Sequence, residues 1–188
     1  MARKPRIVWE LGLYHITVRG NNKQGIFNDG SDFARYLAFL AHYKNKFKFK
    51  LYAFVLMLNH VHLLIETTED ASISKIMKVL NQRYALWYNL KYNRKGHLWE
   101  NRFHSNIVER DSYLLECIRY IEINPIRAKL VASLEDYKWS SYTFRIKNEP
   151  FLQLDTHPIF TNFEKSTQEI YKNYKKFISE ALMVSGTS

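Results

Sequence analysis

The chain has 188 residues, of which 46% are hydrophobic, so it is long and apolar enough to bury a domain core and is not a disordered chain. Its longest apolar run, residues 51–58, is far shorter than the roughly 20 residues that span a bilayer, and the single cysteine, Cys117, excludes an internal disulfide. Lysine and arginine total 28 against 18 acidic residues, and this net charge of +10 favours a polyanion such as nucleic acid as the partner.

The positive charge is confined to one part of the chain. From residue 146 onward five lysines are balanced by five acidic residues, so the whole excess of +10 lies in residues 1–145. This difference predicts a basic domain over residues 1–145 and a neutral C-terminal linker and helix over residues 146–188. The basic N-terminus is not followed by the apolar stretch of a signal peptide, so we expect a cytoplasmic, nucleoid-associated protein with no membrane partner.

The first part of the chain shows hydrophobic periodicity typical of strands and one helix. The predicted elements are a strand over residues 13–19, a helix from a cap at Ser31 or Asp32 to about Phe47, a strand over residues 50–58 and a strand over residues 60–66. The first and last of these strands alternate between apolar and polar residues, which is typical of a sheet with only one buried face.

The second part of the chain is mainly helical. The predicted elements are a helix from Ser72 to about Tyr92, a strand over residues 103–109, a helix from Asp111 or Ser112 to about Ile123, a short helix over residues 125–131, an irregular linker over residues 146–162 and a last helix over about 164–182. Pro125 sets one boundary, because proline disfavours helical backbone at the residue before it and fits the first turn of a new helix.

The order of strand, helix, strand, strand, helix, strand is the split βαβ pattern of the ferredoxin-like fold. We therefore predict an α+β, RRM-like domain whose antiparallel sheet has four to five strands, with helices on one face and a C-terminal helical extension. The helices would cover the face that carries Tyr14, Val18, Val61 and Ile65. The opposite face would carry His15, Arg19, His60, His62 and Glu66. A sheet face with so many ionisable groups indicates a functional site.

Two histidines on the last strand of the first part form a candidate metal site. Residues two apart on a strand project to the same side, so His60 and His62 can direct both imidazoles at one point. Neutral imidazole is a good ligand for divalent metals, although a His-x-His pair on an exposed strand is more often two ordinary surface residues. The polar face of an otherwise apolar central strand favours the metal interpretation. Because two histidines bring no charge, a nucleic-acid phosphate could be the anionic ligand.

A tyrosine on the helix that follows the last predicted strand is a candidate nucleophile. Glu116, Tyr120 and Asn124 are spaced four apart, so they share a polar face of that helix. The hydroxyl of Tyr120 could then attack phosphorus and form a covalent phosphotyrosine, whereas most of the 13 tyrosines must be packing residues. Asn124 has two interpretations that both stay open: a third metal ligand, or the N-cap of the helix that Pro125 begins.

Five segments of the sequence occur together in an order and spacing that match a known family. They are YHITVRGNN, FVLMLNHVHLLIET, GHLWENRFHS, YLLECIRYIEINPIRAKLV and WSSY, and they cover about residues 7–145. Together they resemble the single-tyrosine HUH transposases, whose motif is His–hydrophobic–His, and within that group the REP-associated tyrosine transposases. The resemblance makes residues 1–145 the catalytic domain, with His60 and His62 binding Mg²⁺ or Mn²⁺. It makes Tyr120 the catalytic tyrosine and Asn124 the third ligand.

The resemblance also implies a reaction and a substrate. Such an enzyme is a metal-dependent endonuclease that binds a DNA hairpin in a repetitive extragenic palindrome and cleaves and rejoins the single-stranded DNA beside it. The tyrosine becomes linked to the 5′ phosphate and leaves a free 3′ hydroxyl, so that no ATP is needed. The expected partner is hairpin and single-stranded DNA, and the expected assembly is a monomer or a homodimer.

Further residues are candidates for contact with DNA. Arg19, Arg102 and Arg127 could bind phosphates, and Trp99 and Phe103 could stack on unpaired bases or could equally belong to the core.

The alternative function is a catalytically inactive nucleic-acid-binding regulator on a ferredoxin-like sheet. RNA-recognition domains with such a sheet place aromatic residues on the open face. Here that face holds histidines and an arginine, which favours chemistry over binding alone.

Overall fold

A computed structural model describes residues 11–109, 111–147, 152–157 and 173–180. Within these ranges the elements are β1 (Leu13–Arg19), α1 (Gly30–Phe47), β2 (Lys50–Met57), β3 (His60–Glu66), α2 (Ile73–Lys91), β4 (His104–Ile107), α3 (Asp111–Arg127), α4 (Ser141–Lys147) and a last helix, α5 (173–180). Short 3₁₀ turns lie at Asn21–Lys23 and Leu134–Asp136. No helix in these ranges combines the length and apolarity needed to cross a bilayer.

The strands form one sheet in the order β2-β3-β1-β4, and every neighbouring pair is antiparallel. This order and the helical crossovers confirm the predicted α+β, ferredoxin-like fold. β1 and β3 are paired along their whole length, so that Thr17 lies opposite His62 and Arg19 lies opposite His60. Paired residues of antiparallel strands project to the same face, so the polar positions of the two strands lie side by side.

One face of the sheet is covered by α1 and α2, as the sequence predicts. Its core contains the inward residues of β1 and β3, namely Tyr14, Ile16, Val18, Val61, Leu63 and Ile65, packed with Tyr36, Leu40, Ile76, Leu80 and Tyr84 from the two helices. The start of α2 is also confirmed, because the Ser72 hydroxyl accepts a hydrogen bond from the backbone N–H of Lys75.

The start of α1 differs from the prediction. Asp29, and neither Ser31 nor Asp32, is the N-cap, since its carboxylate accepts hydrogen bonds from the backbone N–H groups of both those residues. The carboxylate of Asp32 in turn accepts from the backbone N–H of Asp29, which completes a capping box. The prediction was wrong because three of the four residues in the stretch 29–32 have side chains that can cap a helix, and only the backbone geometry distinguishes them.

The opposite face of the sheet also carries helices, in addition to those that we expected on the first face. α3 and α4 pack on its β2 half and form a second core, which includes Val55, Met57, Leu64, Leu114, Ile118 and Ile121. β2 is apolar on both faces and the apolar stripe of α3 needs a partner, so hydrophobic burial places α3 there. Only the β1 side of this face keeps its polar residues accessible.

α3 is one continuous helix, so the prediction that it ends near Ile123 and that a separate helix spans residues 125–131 was wrong. The backbone N–H of Ala128 donates to the carbonyl of Asn124, and that of Leu130 donates to the carbonyl of Pro125. The side-chain amide of Asn124 donates to the carbonyl of Tyr120 at 2.7 Å. Asn124 is therefore an interior helical residue and not an N-cap. Proline at this position removes one backbone donor without ending the helix.

The segment that carries the WSSY motif covers the outer edge of β2. Leu56 N–H donates to the carbonyl of Trp139, and Phe54 N–H donates to the hydroxyl of Ser141. Farther along, Leu51 N–H donates to the carboxylate of Asp155, which also pairs with Lys44 at 2.9 Å. These contacts satisfy backbone groups that would otherwise be exposed on an edge strand.

The region after residue 146 is bound to the body of the protein wherever the structure describes it. The predicted irregular linker begins in α4, which the sequence did not predict, and residues 152–157 have no regular structure. The predicted last helix is confirmed over residues 173–180, and the rest of it lies outside the described residues. Tyr174 and Ile178 of α5 are buried in the second core.

A buried carboxylate connects α3, α4 and α5. Glu122 is 0% exposed, and it accepts hydrogen bonds from the hydroxyl of Ser141 at 2.6 Å and from the hydroxyl of Tyr174. Arg145 lies close enough to interact with it electrostatically and donates to the carbonyl of Tyr52. A buried charge is stable only with such partners.

We expect Glu122→Ala to lower the free energy of unfolding by about 3 kcal/mol, because it leaves the hydroxyls of Ser141 and Tyr174 without their buried acceptor and removes the carboxylate near the Arg145 guanidinium. Glu122→Gln keeps an acceptor and should cost about 1–2 kcal/mol. Urea denaturation measures both. The control is Glu116→Gln, which changes an exposed acid on the same helix and should stay within about 0.5 kcal/mol. An equal effect of Glu116→Gln and Glu122→Ala would contradict this prediction.

Candidate active site

The polar residues of β1 and β3 meet at the part of the sheet face that α3 and α4 leave accessible. The rings of His60 and His62 lie with centroids 5.1 Å apart, and the ring of His15 stacks on that of His62 at 5.2 Å. The alternation of both strands and their antiparallel register bring the three rings together. His62 is only 6% exposed, so the centre of this cluster is shielded from water.

Hydrogen bonds orient the two histidines of the HUH motif. Nδ1 of His60 lies 2.7 Å from the side-chain oxygen of Asn59. Nδ1 of His62 lies 3.0 Å from Nε2 of His15 and 3.1 Å from the hydroxyl of Thr17. Because the Asn59 oxygen can only accept, His60 Nδ1 is the donor and its lone pair is on Nε2. A proton on His62 Nδ1 would likewise leave Nε2 as the ligating atom.

Tyr120 lies over this cluster. Its ring centroid is 5.8 Å from that of His62 and 5.9 Å from that of His15, and it meets both rings edge to face. The side chain is 41% exposed, unlike the many tyrosines that fill the cores. α3 reaches this position because its apolar stripe is packed on β2, which leaves the polar face of the helix toward β1.

The histidines are held in the neutral form that a metal requires. Burial lowers the pKa of His62 to about 3, and the neighbouring His15, His60 and Arg19 lower it further. Burial lowers the pKa of His60 to about 4, again with a contribution from Arg19. Burial and His104 also lower the pKa of His15. Metal binding therefore does not compete with protonation of the ligands near neutral pH.

The donor set fits a divalent metal ion only in part. His60 and His62 offer two neutral nitrogen ligands on one side of β3. Among the described residues, no group of three or more His, Cys, Asp or Glu side chains could hold a metal ion. Within that part of the chain, the groups that could complete a coordination shell are amide, hydroxyl or substrate oxygens. Asn124 lies one helical turn beyond Tyr120, and its amide nitrogen is engaged with the Tyr120 carbonyl, so its side-chain oxygen is the atom that could ligate.

Two of the three arginines that were predicted to contact phosphates lie at the site. Arg19 is exposed and stands opposite His60 in the sheet. The guanidinium carbon of Arg127 is 5.5 Å from the centroid of the Tyr120 ring. They place positive charge beside the histidine pair and beside the tyrosine.

The remaining predicted DNA contacts are in another place. Phe103 is only 6% exposed and Trp99 is partly buried, and both belong to or pack on the first core. Phe103 therefore cannot stack on a base through a freely exposed face, and the core interpretation holds for this residue. Arg102 is exposed beside them. These three residues line a groove next to α2, and His15, His60 and His62 are not among the residues that line it.

The residues that orient the histidines were not predicted from the sequence. His15 was only placed on the correct face, and Thr17 and Asn59 had no role. The alternation of β1 puts His15 and Thr17 on the polar face, but their partner is decided by the register between β1 and β3. The sequence signal that could have found them is the row of polar residues at every second position of both strands.

The chain is similar to a transposase family and to solved transposase structures. Residues 8–124 match the model of a protein family described as "Transposase IS200 like". A solved structure of the REP-associated tyrosine transposase bound to a REP hairpin matches with a TM-score of 0.65 at 18% identity, over 83% of this chain and 93% of that one. A putative transposase from Deinococcus radiodurans matches with a TM-score of 0.43 at 19% identity, over 64% and 96% of the two chains. No curated protein matches the sequence.

The lowered pKa values of the histidines predict a pH dependence of stability. The unfolded chain takes up protons near a pKa of 6.5, whereas His62 in the folded chain stays neutral down to a pKa of about 3. Above pH 6.5 His62 is neutral in both states and does not lower the free energy of unfolding. Between pH 6.5 and about 3 only the unfolded chain takes up the proton, so the free energy of unfolding decreases as the pH falls. We expect a contribution of at most about 1.4 kcal/mol per pH unit, measured by urea denaturation in EDTA. His62→Gln should reduce the slope.

The control for this measurement is His42→Gln, which changes an exposed histidine on α1 outside the cluster. It should leave the slope as in the wild type. A His62→Gln variant whose stability falls as steeply as that of the wild type would show that His62 is not the group responsible.

Proposed function

Because this chain belongs to the IS200-like transposase family and is a transposase of the single-tyrosine HUH class, we propose that it cleaves and rejoins single-stranded DNA beside palindromic hairpins. The observation that carries the proposal is the position of Tyr120, half-exposed over the neutral pair His60 and His62. The REP hairpin in the structurally similar transposase supports a hairpin of the REP type as the substrate, and with it membership of the REP-associated branch.

Tyr120 is proposed as the nucleophile. Its phenolic oxygen would form a bond to the phosphorus of a phosphodiester, and the bond from that phosphorus to the 3′ oxygen would break. The proton lost from the phenol would balance the one gained by the departing 3′ hydroxyl. The product is a 5′-phosphotyrosine, and attack by a 3′ hydroxyl reverses the step. One phosphate ester is exchanged for another, so no external energy source is needed.

His60 and His62 are proposed to hold Mg²⁺ or Mn²⁺ through Nε2, with the side-chain oxygen of Asn124 as a third ligand. The ion, when bound, supplies Lewis-acid polarisation of the scissile phosphate. His15 and Thr17 would keep the His62 ring in the orientation that its hydrogen bonds favour.

The charge of the domain is proposed to bind the DNA backbone. Arg19 and Arg127 lie at the site and would contact the phosphates on either side of the cleaved bond. Binding through lysine and arginine releases counterions from DNA, so the affinity should fall steeply with salt. These arginines also offset the negative charge that develops on the phosphate during attack.

Tyr120→Phe should abolish the covalent adduct and lower cleavage by at least about 10³-fold, because it removes the attacking oxygen. The assay incubates the protein with Mn²⁺ and single-stranded DNA that carries the palindromes of its own genome, and separates adducts on a denaturing gel. Tyr113→Phe is the matched control, since Tyr113 is also exposed on α3. An adduct that persists in Tyr120→Phe would refute the assignment. DNA binding without any adduct from the wild type would favour the inactive regulator.

Replacing both His60 and His62 with Ala should lower cleavage by at least about 10²-fold, because polarisation of the phosphate is worth several kcal/mol. DNA binding in EDTA should change only a few-fold, since the backbone contacts come from other residues. Calorimetric titration with Mn²⁺ should show the loss of the binding site directly. His42→Ala, outside the cluster, should leave both properties intact. Unchanged cleavage by the double variant would contradict a metal site at these histidines.

A further inference from the structure

Three loops meet at the end of the sheet where β3 begins with His60. The backbone N–H of Gly20 donates to the carbonyl of Asn59, and that of Asn21 donates to the carbonyl of Leu98, both at 2.8 Å. These hydrogen bonds join the loops into one continuous surface beside the candidate active site. We call it the three-loop surface, and it consists of residues 19–24, 58–59 and 93–102.

The three-loop surface has a fixed position relative to His60. A β-carbon on Gly20 would lie 2.5 Å from the carbonyl oxygen of Gln24, so only glycine permits this close approach. The side chain of Asn59 joins the turn to the histidine: its amide group donates to the carbonyl of Lys23 at 3.2 Å, and its oxygen accepts from Nδ1 of His60 at 2.7 Å. A ligand on this surface is therefore held at a defined distance from His60.

Cations without acidic partners characterise the three-loop surface. Within the described part of the chain, four exposed cations of this surface form no ion pair with a carboxylate, namely Arg19, Lys23, Lys95 and Arg102. Glu100 is the one acid of these loops. At the other end of the sheet, by contrast, Lys50 pairs with Glu66 at 3.1 Å. Unpaired cations on one continuous surface attract a polyanion, and DNA binds to them with release of counterions.

An apolar side chain stands among these cations. Leu58 is 51% exposed and forms, with Asn59, the two-residue turn between β2 and β3. Its backbone is held in place, because its carbonyl accepts hydrogen bonds from the N–H groups of Ile26 and Phe27. Exposed leucines are common on protein surfaces, so exposure alone indicates no function. What distinguishes Leu58 is its position two residues before His60, on a surface of unpaired cations.

The end of a DNA duplex needs both kinds of contact that this surface offers. In the proposed function the scissile phosphate belongs to a single strand beside a hairpin, so a duplex stem ends close to the site. The last base pair of a stem exposes an apolar face, and the phosphates around it are anionic. Apolar side chains such as leucine pack against exposed base pairs, and cations bind the phosphates. Leu58 and the cations around it therefore match a stem end.

We propose that the three-loop surface binds the end of the hairpin stem, with Leu58 packed on the last base pair and Lys23 and the neighbouring cations on the phosphates. The proposal rests on the function proposed above, since it takes a hairpin with a single-stranded flank as the ligand. The three-loop surface holds the junction between duplex and single strand, while the histidines and Tyr120 act on the flank.

The test measures DNA binding in EDTA, so that no cleavage occurs. The probe is the hairpin, built from palindromes of the protein's own genome with a single-stranded flank, that the wild type binds most tightly, and 2-aminopurine is its first unpaired base. In free DNA this base stacks on the stem and its fluorescence is quenched. Leu58 would replace it there, so we expect saturating wild type to raise the fluorescence by about 2-fold or more. Leu58→Ser should lose most of this rise and bind the hairpin about 5-fold more weakly.

Leu90→Ser is the matched control, because Leu90 is also an exposed leucine but lies on α2, outside the three-loop surface. It should keep both the rise and the affinity. The urea midpoint of Leu58→Ser should match that of the wild type, and its affinity for the single-stranded flank alone should stay unchanged. A structural role would instead lower the midpoint and weaken the binding of both DNAs.

Lys23→Gln tests the phosphate contact independently of Leu58. It should reduce the slope of log affinity against log salt by about 1 for the hairpin, because one counterion fewer is released. Lys46→Gln changes an exposed lysine of α1 outside this surface and should leave the slope unchanged. An unchanged slope in Lys23→Gln would contradict its contact with a phosphate.

Three results would overturn the stem contact: equal affinity of the wild type for the hairpin and for its flank alone, no fluorescence rise in the wild type, or an undiminished rise in Leu58→Ser. If the wild type still forms the Tyr120 adduct in such a case, the proposed function stands and only the assignment of this surface fails. If no adduct forms but the rise depends on Leu58, the surface binds a stem end and the cleavage activity fails.

Discussion

The antiparallel pairing of β1 with β3 is the interaction on which the site depends. It sets Thr17 opposite His62 and Arg19 opposite His60, so that polar side chains from two distant parts of the chain share one face. A shift by one residue would turn the histidines into the first core and the apolar residues toward water. The packing of α1 and α2 on the other face prevents that shift, because Val61, Leu63 and Ile65 are fully buried against them.

The position of α3 is the second constraint. Hydrophobic burial places the helix on β2, and the buried contacts of Glu122 with Ser141 and Tyr174 connect it to α4 and α5. The polar face of the helix then points toward β1, which brings the ring of Tyr120 to within 5.8 Å of that of His62. The same packing leaves only part of the sheet face accessible, and the candidate active site occupies that part. One helix therefore contributes to both: the apolar side of α3 packs in the second core, and its polar side contributes Tyr120 to the candidate active site.

Burial and charge act on the histidine cluster in the same direction. Removal from water and the nearby Arg19 both lower the pKa values of His60 and His62, which keeps the imidazoles neutral and able to ligate. Arg19, which has this effect, is also a positive charge at the edge of the site. The site combines neutral imidazoles with nearby cations, and this combination suits an anionic partner such as a nucleic-acid backbone. This is the chemistry expected of the family to which the chain belongs.

The sequence by itself determined the order of the four strands and of α1 and α2 between them, the polar face of β1 and β3, and the pairing of His60 with His62, because these follow from local periodicity and the spacing of side chains along a strand. It could not determine where α3 lies, the continuity of that helix through Pro125, or the cap at Asp29. Nor could it show that His15 and Thr17 contact His62, or that Phe103 is buried. These features depend on contacts between residues far apart in the chain, and they are decided by burial and strand register. Only the tertiary structure brought Tyr120 and the histidine pair together, since no local pattern specifies the distance between a helix and a strand.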